Sequence, residues 1–183
     1  MKTHDYKPLY TYQDYKYWEG NWELIDGYPH AMSPSPFRKH QLLNTEFTFE
    51  LKSVLNRNHT DCKQCRVYQD LDWIVSENTI VRPDVMIVCE EFKENFLGFA
   101  PVFIVEILSP STSMKDFNNK YRLYESEKVN YYIIINPETK ECNLFELKNN
   151  VYVQNDNLKD FSFHADCKIP FDIPAYVGQL NLD

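Results

Sequence analysis

The sequence predicts an α/β fold, a central mixed β-sheet flanked by helices in a single domain, on three observations. First, two runs of β-branched and apolar residues, T-I-V-R-P-D-V-M-I-V over 79–88 and A-P-V-F-I-V-E-I-L over 100–108, are bounded by Pro, Ser or Asn and read as buried strands. Second, apolar residues recur at Leu43, Phe47, Leu51, Val54 and Leu55, the stripe of a core-facing helix over 37–55. Third, Y-Y-I-I-I-N-P at 131–137 is a compact apolar run stopped by proline, another buried strand. At 183 residues the chain suits one domain with a sizeable core, and it shows no linker, internal repeat or low-complexity tract.

The remaining elements follow in order. Residues 11–18 predict a short helix or docking segment, and W-E-L-I-D-G-Y-P-H-A-M a hairpin turning at Asp26-Gly27. Ser33-Pro34-Ser35-Pro36 breaks that sheet and opens the long helix, with His40 on the flank of its stripe. After R-N-H-T-D, strands are predicted over 62–69 and 71–75, leading into the two central runs. Pro110, with Ser111, Thr112 and Ser113 as candidate N-caps, starts a helix over 113–127. Residues 138–153 alternate in polarity and read as a hairpin ladder turning at Asn149-Asn150, after which a Pro-rich tail wraps back over the sheet.

Composition narrows the function. With 43% hydrophobic and 25% charged residues the chain is ordinary globular material. A net charge of −8 argues against holding nucleic acid by bulk electrostatics, but leaves room for a local cation among Arg38, Lys39, Lys63, Arg66, Lys115, Lys120 and Arg122. The start, M-K-T-H-D-Y-K, lacks the apolar region of a signal peptide, and no apolar run reaches the ~18 residues of a membrane span, so a soluble cytoplasmic protein is expected. Reduced thiols are then expected at Cys62, Cys65, Cys89, Cys142 and Cys167. Cys62-x-x-Cys65 has metal or redox spacing, but no second such pair completes a zinc site. Four glycines cannot spell a Walker A loop or a G-x-G-x-x-G fingerprint, and neither H-E-x-x-H nor G-x-S-x-G occurs.

What survives is a set of carboxylates. Side chains alternate along a strand, so Glu106 shares a face with Ile104 and Leu108, and Asp84 with Met86 and Val88. An ionised carboxylate on an apolar face costs several kcal/mol unless a cation accompanies it. Asp84 and Glu106, 22 residues apart, are hard oxygen donors of the kind that suit Mg²⁺ or Mn²⁺. In the helix over 113–127, at about 100° per residue, Lys120 falls at the edge of the stripe made by Phe117, Tyr121 and Tyr124.

Read together, W-E-L-I-D-G, His40, R-P-D-V-M-I-V, P-V-F-I-V-E-I-L-S-P-S-T, the D-x-x-x-K of Asp116 and Lys120, and Y-Y-I-I-I-N-P resemble the Uma2 family of restriction-endonuclease-like proteins, within the PD-(D/E)xK nuclease superfamily. The resemblance covers residues 11–153 and implies a restriction-endonuclease-like core. It further implies a metal-dependent endonuclease acting on DNA with Mg²⁺ or Mn²⁺, a homodimeric assembly and no membrane. Glu23, Asp84 and Glu106 would surround the metal, Lys120 would be the catalytic cation, and His40 and Asp116 would support them. One departure matters: two residues after Glu106, where a nuclease of this superfamily carries lysine, this chain has Leu108. The other class consistent with these residues is a non-catalytic module in which the acids serve structure or binding.

Overall fold

A computed structural model describes residues 9–32, 37–57, 62–109, 114–163 and 167–182, apart from the side chains of 114–117. The first half comprises α1 (Tyr12–Tyr15), β1 (Trp22–Ile25), β2 (Tyr28–Ala31), α2 (Arg38–Arg57), β3 (Arg66–Gln69), β4 (Trp73–Ser76), β5 (Thr79–Val81) and β6 (Val85–Val88). The second comprises β7 (Phe103–Ile107), α3 (Met114–Ser126), β8 (Tyr131–Ile135), β9 (Cys142–Lys148), β10 (Val151–Gln154), β11 (Asp160–Phe163), β12 (Cys167–Pro170) and α4 (Ile173–Gln179).

A six-stranded sheet in the order β10-β9-β8-β7-β6-β3 forms the centre, mixed because β7 and β8 run parallel across the α3 crossover while its other neighbours are antiparallel. Both of its faces are covered, as apolar strands require. One face presents Val85, Ile87, Phe103, Val105 and Ile107 to Leu43, Phe47 and Leu51 of α2 and to Phe161 and Phe163 of β11. The other presents Met86, Val88, Ile104 and Tyr132 to Trp73 of β4, Tyr124 of α3 and Ile25 of β1. Each such buried side chain contributes roughly 1.5–3 kcal/mol, so the two faces hold most of the fold together.

The run over 79–88 is not one strand, as expected, but two. β5 belongs to a second sheet, ordered β2-β1-β5-β4, and the chain changes sheets at Arg82-Pro83-Asp84. Proline has no N–H for a ladder, so the run cannot continue pairing through Pro83. The N–H of Arg82, which would otherwise lose its partner, donates to Glu23 Oε1 at 2.8 Å. The break thereby places Asp84 just before β6.

Two hairpin turns are as the sequence suggested: Asp26 and Gly27 have φ of 52° and 79°, and Asn149 and Asn150 of 52° and 66°, the left-handed pairs that two-residue hairpins need. The tail contains more regular structure than its prolines suggested, the β11–β12 hairpin and α4. The expected breaker at 33–36 and the candidate caps at 111–113 lie outside the described residues. Reduced thiols are not what the structure shows: Cys62 pairs with Cys167 and Cys65 with Cys89, leaving Cys142 as the free cysteine. Among the described residues no helix is long and apolar enough to cross a membrane.

Candidate active site

The antiparallel register of β6 and β7 pairs Val85 with Val105, which brings Asp84 beside Glu106 at the next position. Asp84 Oδ2 accepts the N–H of Ile107 at 2.7 Å, and its Oδ1 lies 3.3 Å from Nε2 of His40, which α2 carries to this end of the strands. Glu23 comes from the other sheet. On β1 it shares a face with Ile25, which packs into the core between the sheets, while Leu24 turns toward the outer cluster.

Lys120 joins the two layers. Its Nζ lies 2.9 Å from Glu23 Oε1 and 2.9 Å from Glu106 Oε1, and the latter oxygen also accepts the Tyr124 hydroxyl at 2.7 Å. Tyr124 follows Lys120 by four residues, so one face of α3 delivers both donors. Glu23, Asp84, Glu106, Lys120 and His40 are all buried. The structure thus gathers five of the six candidate residues; the side chain of Asp116 lies outside the described residues. A cleft of about 450 Å³ lined by Tyr10, Tyr17, Trp18 and Trp22 opens beside the outer cluster and takes no part in this arrangement.

The charges do not balance. Among the described residues, three carboxylates face one permanent cation, with His40 as the second group able to carry positive charge. Burial pushes the Glu106 carboxyl up to about 7, against the pull of the Lys120 ammonium and with the help of the Asp84 and Glu23 charges. Burial alone would lower Lys120, but Glu106 and Glu23 outweigh it and hold the ammonium above its ordinary range. At His40 burial also disfavours the charge, yet the Asp84 hydrogen bond and charge raise its pKa above 6.5. His40 Nδ1 is buried with no hydrogen-bond partner among the described residues.

Hard carboxylate oxygens and a surplus of negative charge suit Mg²⁺ or Mn²⁺. The spacing is less complete than the chemistry: among the described residues no three His, Cys, Asp or Glu side chains stand at metal-holding distance, because Lys120 Nζ occupies the place between Glu23 and Glu106.

The sequence model of the Uma2 family, described as "Putative restriction endonuclease", matches residues 9–164. The chain belongs to the Uma2 family. An uncharacterized protein of Synechocystis sp. is 28% identical over 147 residues, covering 75% of this chain and 74% of the other. A crystal structure described as "a putative nuclease belonging to DUF820", from Anabaena variabilis, superimposes with a TM-score of 0.69 at 16% identity, covering 91% of this chain and 98% of that one, a likeness of fold.

In this Uma2 chain several polar partners were not legible in the sequence. Tyr124 read as part of an apolar stripe, although its i+4 spacing from Lys120 marks it as a neighbour. Arg82 was not among the candidate cations, yet its Nε lies 2.7 Å from Asp72 Oδ1 and its Nη2 3.4 Å from the Tyr15 hydroxyl. Asp70 is a further acid of the neighbourhood, raised by burial and then by Asp84.

In the metal-free Uma2 protein the burial of Glu106 ties stability to pH. Below about 4.5 Glu106 is protonated in folded and unfolded chains alike; between 4.5 and about 7 only the unfolded chain ionises. Stability should therefore fall as pH rises through that window, by roughly 3 kcal/mol. Glu106→Gln should flatten that fall in urea melts taken across the window; equal pH slopes for the two proteins would contradict it.

Proposed function

We propose that this protein is a metal-dependent endonuclease that hydrolyses phosphodiester bonds in DNA, the whole chain serving as one nuclease-type domain that acts as a homodimer. The observation that carries this reading is Lys120 Nζ held 2.9 Å from each of two buried glutamates, one of which, Glu106, stands beside Asp84 where β6 begins and β7 ends. Asp84 and Glu106, with Glu23 beside them, would hold Mg²⁺ or Mn²⁺. When bound, such an ion polarises the scissile phosphate and lowers the pKa of a water. Lys120 places an ammonium beside the same carboxylates, where it can orient the attacking water and stabilise the charge that develops on phosphorus oxygens. Tyr124 holds Glu106 Oε1 in place, and the Ile107 N–H does the same for Asp84 Oδ2. His40, hydrogen-bonded to Asp84, fixes that carboxylate from α2 and carries a proton at Nε2. Asp116 is proposed to support Lys120 from the same helix.

A second reading has its own observation. Lys120 already satisfies Glu23 and Glu106, so the cluster could be a closed structural ion-pair network in a binding module. Metal-dependent stabilisation separates the two. Saturating Mg²⁺ or Mn²⁺ is expected to raise Tm, since a ligand of the folded state adds RT ln(1 + [L]/Kd), about 2.7 kcal/mol at a hundredfold excess over Kd. Asp84→Asn should lose that increment, and a Tm indifferent to millimolar metal in both proteins, with no cleavage of single-stranded, duplex or branched DNA, would favour the binding module.

A further inference from the structure

Four cysteines that lie far apart in the chain meet at one place in the fold. Cys62 and Cys65 flank the turn that leads from α2 into β3, with the Cys65 N–H donating to the Cys62 carbonyl at 3.0 Å. Cys89 directly follows β6 and stands opposite Cys65, because Arg66 pairs with Val88. Cys167 opens β12. All four are buried, at 4%, 6%, 3% and 4% exposure. They are paired as Cys62–Cys167 and Cys65–Cys89, but Cys65 Sγ lies only 3.8 Å from Cys167 Sγ, a member of the other pair. The sulfurs form one cluster rather than two separate bridges.

That contact is close to the spacing in a tetrahedral thiolate site, where Zn–S bonds of about 2.3 Å set the sulfurs roughly 3.8 Å apart. A C-x-x-C turn supplies two neighbouring ligands of such a site, and the fold supplies the other two, Cys89 and Cys167, which sequence spacing could not show. While the sulfurs are bonded to one another they have no thiolate to give, and in this state the four cysteines are not a metal-ready set among the described residues. We propose that, when reduced, Cys62, Cys65, Cys89 and Cys167 form a tetrathiolate zinc site, an alternative to the disulfide-paired state. Each disulfide takes two electrons and two protons from a dithiol, which leaves as its own cyclic disulfide; the four thiols then release four protons as zinc binds their thiolates. Four protein ligands leave no open position, so the site is structural. It lies at the far end of β6 from Asp84, five residues or about 17 Å along the strand, and ties the turn before β3 to the end of β6 and the start of β12.

The test uses the full chain, reduced by excess dithiol, freed of metal, and titrated with Co²⁺ and then Zn²⁺. The expected result is a tetrahedral cobalt–thiolate spectrum that saturates at one ion per chain and is displaced by zinc. Zinc should also shield Cys62, Cys65, Cys89 and Cys167, but not Cys142, from alkylation as read by mass spectrometry. Cys142→Ser should behave as wild type, and Cys89→Ser should weaken zinc binding by more than the roughly 10–100-fold typical of losing an outer-shell partner. No thiolate-to-cobalt band in the reduced wild-type chain, or alkylation of those four thiols unaffected by zinc, would overturn the proposal without recourse to any variant. Zinc binding that persists unchanged in Cys89→Ser would overturn the ligand assignment.

Discussion

Lys120→Ala should lower cleavage by on the order of 10²–10³-fold and, in the absence of metal, destabilise the protein by roughly 3–5 kcal/mol. The stability loss follows from the two ion pairs at 2.9 Å: without the ammonium, Glu23 and Glu106 either stay buried like charges with no cation between them or, at Glu106, which Lys120 holds down, take up a proton, and both lose their buried partner. Saturating Mg²⁺ should restore more stability to this variant than it adds to wild type, because the ion then offsets charge that the lysine no longer does. The activity loss and the stability gain from metal are separable measurements, which keeps the substitution informative even though it touches the core. Leu108 stands two residues after Glu106 on the same strand face, half-buried, with its N–H bonded to the Ile135 carbonyl at 2.8 Å. A lysine there can reach the cluster along a different path. Adding Leu108→Lys to Lys120→Ala is therefore expected to recover part of the single-turnover rate, less than all of it because a lysine stem replaces a packed leucine. Wild-type activity in Lys120→Ala would show that this ammonium serves structure alone.

Glu106→Gln should abolish cleavage while leaving the fold intact. Glutamine keeps an Oε1 that can accept from Lys120 Nζ and the Tyr124 hydroxyl, so the hydrogen bonds of Glu106 survive and only its charge is lost. With burial holding the Glu106 carboxyl at about 7, the metal-free variant is expected to be at least as stable as wild type above that pH. Cleavage should fall by 10²-fold or more, on the scale of losing one electrostatic contact in a transition state. Unfolding of Glu106→Gln at neutral pH, seen by circular dichroism, would instead mean that the ionised carboxylate is a structural requirement.

The parts of this site that were legible in the sequence are those where a charge contradicts its surroundings. Asp84 and Glu106 were conspicuous as acids on apolar faces, and Lys120 as a cation at the edge of an aromatic stripe; alternation along a strand and rotation along a helix are local geometry, and the fold keeps both. What could not be read was whatever depends on how separate elements meet. Glu23 reaches the cluster only because the chain changes sheets at Pro83, and a run of ten residues rich in β-branched side chains hid that break. Tyr124 looked apolar because its ring packs in the core between the sheets while its hydroxyl is spent on Glu106. The pairing of the cysteines was hidden for a related reason: the expectation of reduced thiols rested on the lack of a signal-peptide pattern, whereas the pairing depends on β6 and β12 bringing Cys89 and Cys167 beside Cys65 and Cys62.

Single-turnover cleavage of end-labelled single-stranded, duplex and branched DNA, by wild type and Glu106→Gln purified in parallel, decides whether Asp84, Glu106 and Lys120 make a metal-dependent phosphodiesterase. Cleavage of at least one substrate by wild type with Mg²⁺ or Mn²⁺, stopped by chelator and absent in Glu106→Gln, is the predicted result. Equal cleavage by the two proteins, or none by a folded wild type on any substrate with either ion, would contradict it.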